Sequence, residues 1–317
     1  TGAEYEAIHG CWCKAIKVLP YFCVVHKQDW FIKEKYMPEL QKDDMSFLSR
    51  SFERHFNERP YLKHSCYLYL TKTTKERNRM QSNFSTLCRG HIIPKELDKE
   101  TAGKFMEAAE QFERIMNDSG FVRLRRLSTD EIVGTEKSAG LIERYFSLMP
   151  EGDTTLQDID LSAKEMRIGD KRLCLHTLSD AEDMPGKVAT DIRYEKLSTD
   201  RSDCRLSFAS PVGLLLSCNH IYNQYVIIDN SEENLQKFEK SARNMQSLSR
   251  YSRSNSINRE WIDQYLNEAH SYGLTSVRAH FNVMAWSDDA EELKHIKNDV
   301  GSQLASMECV PRHNTID

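Results

Sequence analysis

Phosphate chemistry needs a backbone cradle. A P-loop reads GxxxxGK[ST], because glycines let amide groups close on the phosphates while Lys and Ser/Thr meet the γ-phosphate and metal. Gly103-Lys104 is followed by Phe105, with Asp98 where the first glycine belongs. Gly186-Lys187 is followed by Val188, with Ala181 in that place. No two glycines are spaced GxG, which excludes a dinucleotide fingerprint. Metal-ligand spacings are absent too: there is no HExxH and no histidine pair at i, i+4. Cys11-Trp12-Cys13 is the one close cysteine pair, and on a helix its sulfurs point to different faces. It would need a second pair from afar, or His9 or His26. No GxSxG marks a nucleophile. His176, His220 and His280 lie in or beside apolar strands and read as core or edge histidines. Glu182-Asp183 reads as loop, and Asp288-Asp289 as a helix cap. The expected catalytic, cofactor and metal sets are therefore all empty.

Cations interleaved with aromatics are the remaining chemistry. Phe121-Val122-Arg123-Leu124-Arg125-Arg126 and Arg250-Tyr251-Ser252-Arg253 have the texture of a single-strand binder. Residues 240–259 carry Lys240, Arg243, Arg250, Arg253 and Arg259 with no acid. Candidate contacts to nucleic acid or a partner are Arg123, Arg125, Arg126, Arg243, Arg250, Arg253 and Arg259. The same residues also read as a solvated face. Charge is uneven along the chain. Residues 50–126 hold 16 basic against 10 acidic groups, and residues 127–200 hold 9 basic against 16 acidic. The net charge of −5 and pI near 6.1 argue against a dedicated nucleic-acid binder, which is usually basic.

The elements that would position these groups alternate in type. Helical stripes cover residues 3–17, 42–57, 99–117, 231–248, 257–271 and about 290–306. Ser128-Thr129-Asp130-Glu131 reads as a capping box opening a helix to about 147, weakened by Gly134 and Gly140. Extended signals cover 20–31, 65–71, 121–125, 172–178, 225–228 and 277–286. Residues 72–82 are expected as a loop or an exposed helical turn, 180–199 as a loop or a partly ordered excursion, and 249–256 as a loop. The fold class expected is α+β: mixed or antiparallel sheets packed against helices, in two sandwich subdomains. The divisions are 1–150, an acidic turn-rich connection at 151–200, and 201–317.

The 317 residues suffice for a sizeable core, and 39% hydrophobic with 29% charged residues is ordinary globular composition. The longest apolar run, Val212-Gly213-Leu214-Leu215-Leu216, is far short of a bilayer span. Nine cysteines, an odd number with no CxxC, read as reduced thiols of a cytosolic protein. The start at Thr1 and the end at Asp317 read as a piece of something longer.

Several long stretches together resemble one family. They are Ala15-Ile16-Lys17-Val18-Leu19-Pro20 with Val24-Val25-His26-Lys27-Gln28-Asp29-Trp30, Ser46 to Phe56, Asp200 to Phe208, Arg278 to Trp286, and Pro311 to Asp317. This pattern is similar to the TraG-type ATPases of conjugative transposons, which group with the ATPases powering type IV secretion. The resemblance covers essentially the whole chain. It implies the N-terminal region that precedes a RecA-like motor. That motor would carry the P-loop, bind ATP and Mg, and form a hexamer. The region itself would be non-catalytic, peripheral to the cytoplasmic face of the inner membrane, and docked on membrane channel proteins for DNA transfer. Its partners would be those proteins and its own C-terminal ATPase domain. No ATP-site residue of the family maps onto this sequence. Two other readings stay open: a stand-alone nucleic-acid-binding module using 121–126 and 247–259, and an enzyme whose pocket would hold strongly perturbed titratable groups.

Overall fold

The computed structural model describes residues 2–36, 46–73, 98–149, 157–162, 165–178, 180–186, 188, 192–206, 208–248 and 252–314. Helix α1 (Gly2–Lys17) leads into strand β1 (Cys23–Lys35), helix α2 (Phe47–Asn57) and strand β2 (Pro60–Lys72). Helix α3 (Lys99–Asp118) follows, then the short α4 (Thr129–Val133), the two-residue strands β3 (Gly134–Thr135) and β4 (Ser138–Ala139), and α5 (Leu141–Ser147). Strands β5 (Ile159–Leu161), β6 (Met166–Ile168) and β7 (Lys171–Leu178) come next. After them lie β8 (Ile192–Arg193), β9 (Arg205–Leu206) and one π-helical turn at Pro211–Leu215. The chain then runs through β10 (Asn219–Ile228), α6 (Ser231–Leu248), α7 (Arg253–Tyr272), β11 (Val277–Ser287), α8 (Ala290–Ser306) and β12 (Arg312–His313).

The architecture is α+β. Eight strands make one antiparallel sheet in the order β2-β1-β10-β11-β7-β6-β5, with β12 also on β7. Its strands come from both expected subdomains: β1 pairs with β10 from Val24↔Ile227 to Phe31↔His220. The acidic stretch after residue 150 contributes β5 and β6 to the sheet's edge.

Strand alternation sorts the side chains into two faces. On one face, Cys23, Val25 and Ile228 are sealed by Ala15 and Ile16 of α1 and by Phe112 and Met116 of α3. Farther along that face, Cys174, Val283 and Ala285 pack under Ile296, Val300 and Leu304 of α8. The opposite face buries Trp30, Ile221, Leu173, Ile168 and Trp286, with Tyr145 of α5 and Leu148 just past it against them.

Local signals explain the helix ends. The Asp98 side chain accepts from Thr101 N at 2.7 Å and opens α3, and Gly120 at φ +73° follows its end. Gly273 at φ +57° closes α7. The Asp289 carboxylate accepts from Glu291 N at the start of α8. Three local expectations are corrected. The helix expected over 128–147 is split into α4, the β3–β4 ribbon and α5. The capping box forms as read, but a Cβ on Gly140 would sit 2.3 Å from Gly134 N, so the chain folds back on itself there. Residues 122–128 form no strand, because the Asn117 side chain takes their backbone: Leu124 N donates to Asn117 Oδ1 at 2.6 Å. Helix α7 starts at Arg253, inside the loop expected over 249–256. The loop or helical turn expected at 72–82 falls mostly outside the described residues.

Candidate functional site

The arginines singled out from the sequence are largely spoken for. Arg125 makes a two-pronged bond to Glu131, at 2.9 and 2.8 Å. Arg126 donates to Glu113 at 2.7 Å and reaches Glu110 at 3.7 Å. Arg243 pairs with Glu239, and Arg259 with Asp263, each one helical turn away at 3.4 Å. Arg123 and Arg253 are exposed, without an ion pair among the described residues. Arg250 lies outside the described residues. Four of these arginines, Arg125, Arg126, Arg243 and Arg259, have acidic partners that sit outside the windows 121–126 and 240–259.

The structure brings together two polar clusters that the sequence reading missed, one on each sheet face. On the first face, β1 and β2 set Asp29 opposite Cys66 and Phe31 opposite His64. The Asp29 carboxylate is buried, and it accepts from Lys27 Nζ, from His64 Nε2 at 2.9 Å and from the Cys66 thiol. Gln224 Nε2 on β10 reaches it at 3.4 Å. Burial pushes the Asp29 pKa up, but Lys27 and the His64 and Cys66 hydrogen bonds outweigh that and hold it below the usual carboxylate range. Burial, with Asp29 beside it, lifts the Cys66 thiol to about 11, so it stays protonated near neutrality. The cluster is a clamped anion beside an unactivated thiol. Next to it Phe31 is sandwiched between His64 and His220, both at 4.6 Å. His220 is fully buried, with one ring nitrogen 2.9 Å from Cys218 O and the other 2.9 Å from Val212 O of the π-helical turn.

The second face carries a row across four strands: Tyr69 on β2, His26 on β1, Tyr225 on β10 and His280 on β11, each opposite the next. His26 stacks on Tyr225 at 4.0 Å and on Tyr69 at 5.0 Å. Beneath the row runs a chain of side-chain amides. Trp30 Nε1 and the Tyr69 hydroxyl donate to Gln28 Oε1. Gln28 Nε2 donates to Asn223 Oδ1, which also meets His26 Nε2 at 2.8 Å. Asn223 Nδ2 donates to Asn282 Oδ1, and Asn282 Nδ2 to His280 Nε2. Desolvation lowers the pKa of both His26 and His280. Because the rings stack on one another, the row spends its aromatic faces internally. His26 has a ring on each side, Tyr225 and Tyr69. Single-residue patterning hides both clusters, since their members lie far apart in sequence and meet only through the β2–β1–β10–β11 pairing.

Two helical insertions expose apolar surface. Helix α2 sits in the connection between β1 and β2, and none of its residues is buried. Phe47 and Leu48 are 77% exposed, and Phe52 and Phe56 are also exposed, their rings 4.5 Å apart. Its Ser46 side chain accepts from Ser49 N, so the helix is capped. Helices α6 and α7 are inserted between β10 and β11, which are paired up to Ile228↔Val277. They pack on each other through Ala242, Ala269 and the Phe238–Tyr265 ring contact at 5.2 Å. Trp261 remains 66% exposed on α7, with Ile257 and Leu248 also exposed. Arg278 clamps the base of the insertion to Asp229 with bonds of 2.7 and 3.1 Å.

Among the described residues no helix is long and apolar enough to cross a membrane, and no group of three or more His, Cys, Asp or Glu is arranged to hold a metal ion. The eight described cysteines are free. No protein-family model matches the chain, and no curated protein matches it.

Proposed function

We propose that this chain is a non-catalytic docking region of a conjugative-transfer ATPase, as its resemblance to the TraG type implies. One observation carries the reading. Helix α2 and the α6–α7 pair are insertions into strand connections, and both present large apolar side chains to solvent. Uncovered apolar surface of this kind marks contact with another protein or a membrane. Because both insertions leave and rejoin the sheet between paired strands, a partner can grip them without rearranging the sheet. The sheet then acts as a rigid body between the gripped helices and a motor beyond residue 317. ATP and Mg belong to that motor. The partners are inner-membrane channel proteins, and the place of work is the cytoplasmic face of that membrane.

The nucleic-acid reading gains less. Four of its arginines are held by carboxylates, which cancels the positive field that phosphate binding needs.

The test is binding of the purified chain, one subunit at a time, to the membrane-channel proteins encoded beside it. Wild type is expected to bind at least one. Phe52→Glu/Phe56→Glu or Trp261→Glu is expected to weaken that binding at least tenfold with the fold intact by circular dichroism. Equal binding by all variants, or salt-sensitive binding to an oligonucleotide instead, overturns the reading.

A further inference from the structure

A pocket of about 80 Å³ opens on the second sheet face, between helix α5 and the sheet's β2 edge. Lys63, Ser65 and Tyr67 alternate along β2, so all three stand on this face. Trp30 and Ile32 of β1, opposite Ser65 and Lys63, complete the floor. Leu141 and Arg144, one turn apart on α5, line the other side. Tyr145 holds α5 in place, its ring 6.1 Å from that of Trp30.

The charges around the pocket do not balance. Lys63 Nζ is 3.1 Å from Glu34 Oε1, and Tyr61 donates to the other oxygen of Glu34 at 2.9 Å. The Glu143 carboxylate accepts from Gly140 N at 3.3 Å. Arg144 has no carboxylate, hydrogen-bond acceptor or aromatic ring as a partner among the described residues. The residue is half-buried. Its Nε is sealed from water and its Nη groups are not, so the guanidinium lies in the wall with its outer nitrogens reachable. A cation partly stripped of water with no counterion is costly, and an oxyanion would restore what it lost. The Ser65 and Tyr67 hydroxyls also lack hydrogen-bond partners among the described residues, and both can donate.

Charge and size narrow the occupant. One uncompensated cation suits a monoanion better than a phosphate dianion. A planar carboxylate matches the fork of an arginine. An apolar cavity of about 150 Å³ holds benzene, so this smaller pocket takes a carboxylate with only a few carbons. We infer that this pocket is a binding site for a short-chain monocarboxylate, with Arg144 taking the carboxylate and the Ser65 and Tyr67 hydroxyls donating to it. The short chain lies against Trp30, Ile32 and Leu141.

The test is a saturation-transfer-difference NMR titration of the full chain with butyrate and 1-butanol, with inorganic phosphate as competitor. Wild type is expected to bind butyrate at least about tenfold more tightly than 1-butanol, the worth of a charge-assisted hydrogen bond. Phosphate is expected to displace butyrate only at concentrations well above the butyrate Kd. Arg144→Gln is expected to erase the preference for butyrate over 1-butanol. Arg144→Lys, which keeps the charge but loses the fork, is expected to keep part of it. Ser65→Leu, which fills the floor, is expected to weaken both ligands. Circular dichroism checks each variant. Should a variant not fold, the ranking of the three ligands on wild type decides. Absence of butyrate binding to folded wild type overturns the assignment. So does butyrate bound no more tightly than 1-butanol, phosphate bound more tightly than butyrate, or a preference that Arg144→Gln leaves unchanged.

Discussion

At the scale of single residues, burial of titratable groups shapes the pH response. His176 has its pKa lowered from 6.5 to about 4, and His26, His220 and His280 are lowered as well, each chiefly by desolvation. The unfolded chain binds these protons near pH 6.5, while the folded chain resists them. Stability is therefore full above pH 6.5 and falls as the pH drops toward 4. Melting temperature measured across that range should decline, and His176→Phe should flatten part of the decline. An equal slope in the variant would remove His176 from the account. Asp29 makes a separate prediction. It is the common acceptor of Lys27, His64 and Cys66, so Asp29→Ala strands the half-buried ammonium of Lys27. Breaking a buried pair costs about 3–5 kcal/mol, and partial exposure of Lys27 places this case near 3 kcal/mol, readable in urea unfolding. Neither residue stood out in the sequence. Asp29 lies in a run of mixed polarity, and His176 looked like any histidine in an apolar strand, which is where it sits. What gives each its meaning is its opposite number on another strand.

At the scale of elements, the sequence was legible wherever the local signal was self-contained. The stripes of α1, α3, α6 and α8 and the alternation of β7 and β11 appear where the apolar spacing placed them. The helix cap read at Asp288-Asp289 also forms, at Asp289. The failures share a cause. The stretch 128–147 carries helical spacing, but Gly134 at φ +95° and the close approach at Gly140 impose a reversal that periodicity does not register. Residues 121–125 alternate like a strand, yet an asparagine side chain rather than a neighbouring strand takes their backbone. Gly140→Ala should test the first point. Its Cβ would lie 2.3 Å from Gly134 N, so a loss of at least about 2 kcal/mol is expected in denaturant unfolding, against near neutrality for Gly10→Ala in α1 apart from its helix propensity gain. The insertions make the opposite prediction. Replacing residues 231–274 with a short turn should leave the sheet folded, since β10 and β11 are paired up to Ile228↔Val277 without them. Loss of the β-sheet circular-dichroism signal in that deletion would show that the helix pair is part of the core rather than an appendage.

At the scale of the whole molecule, one antiparallel sheet ties the first seventy residues to the last hundred. Helices cap parts of both faces, and two helical insertions are left with bare apolar surface. In the docking account this body passes force between the gripped helices and the motor. Asp29, His26, Asn223 and Asn282 are paired across strands, while Phe47, Leu48, Phe52 and Trp261 on the insertions are exposed. The direct measurement is transfer of a conjugative element carrying the full-length protein with Phe52→Glu/Phe56→Glu, taken together with ATP hydrolysis by the same purified variant. The docking account predicts transfer reduced by orders of magnitude while the hydrolysis rate stays within about twofold of wild type. Normal transfer with the bare face of α2 charged, in a stably folded protein, would contradict it.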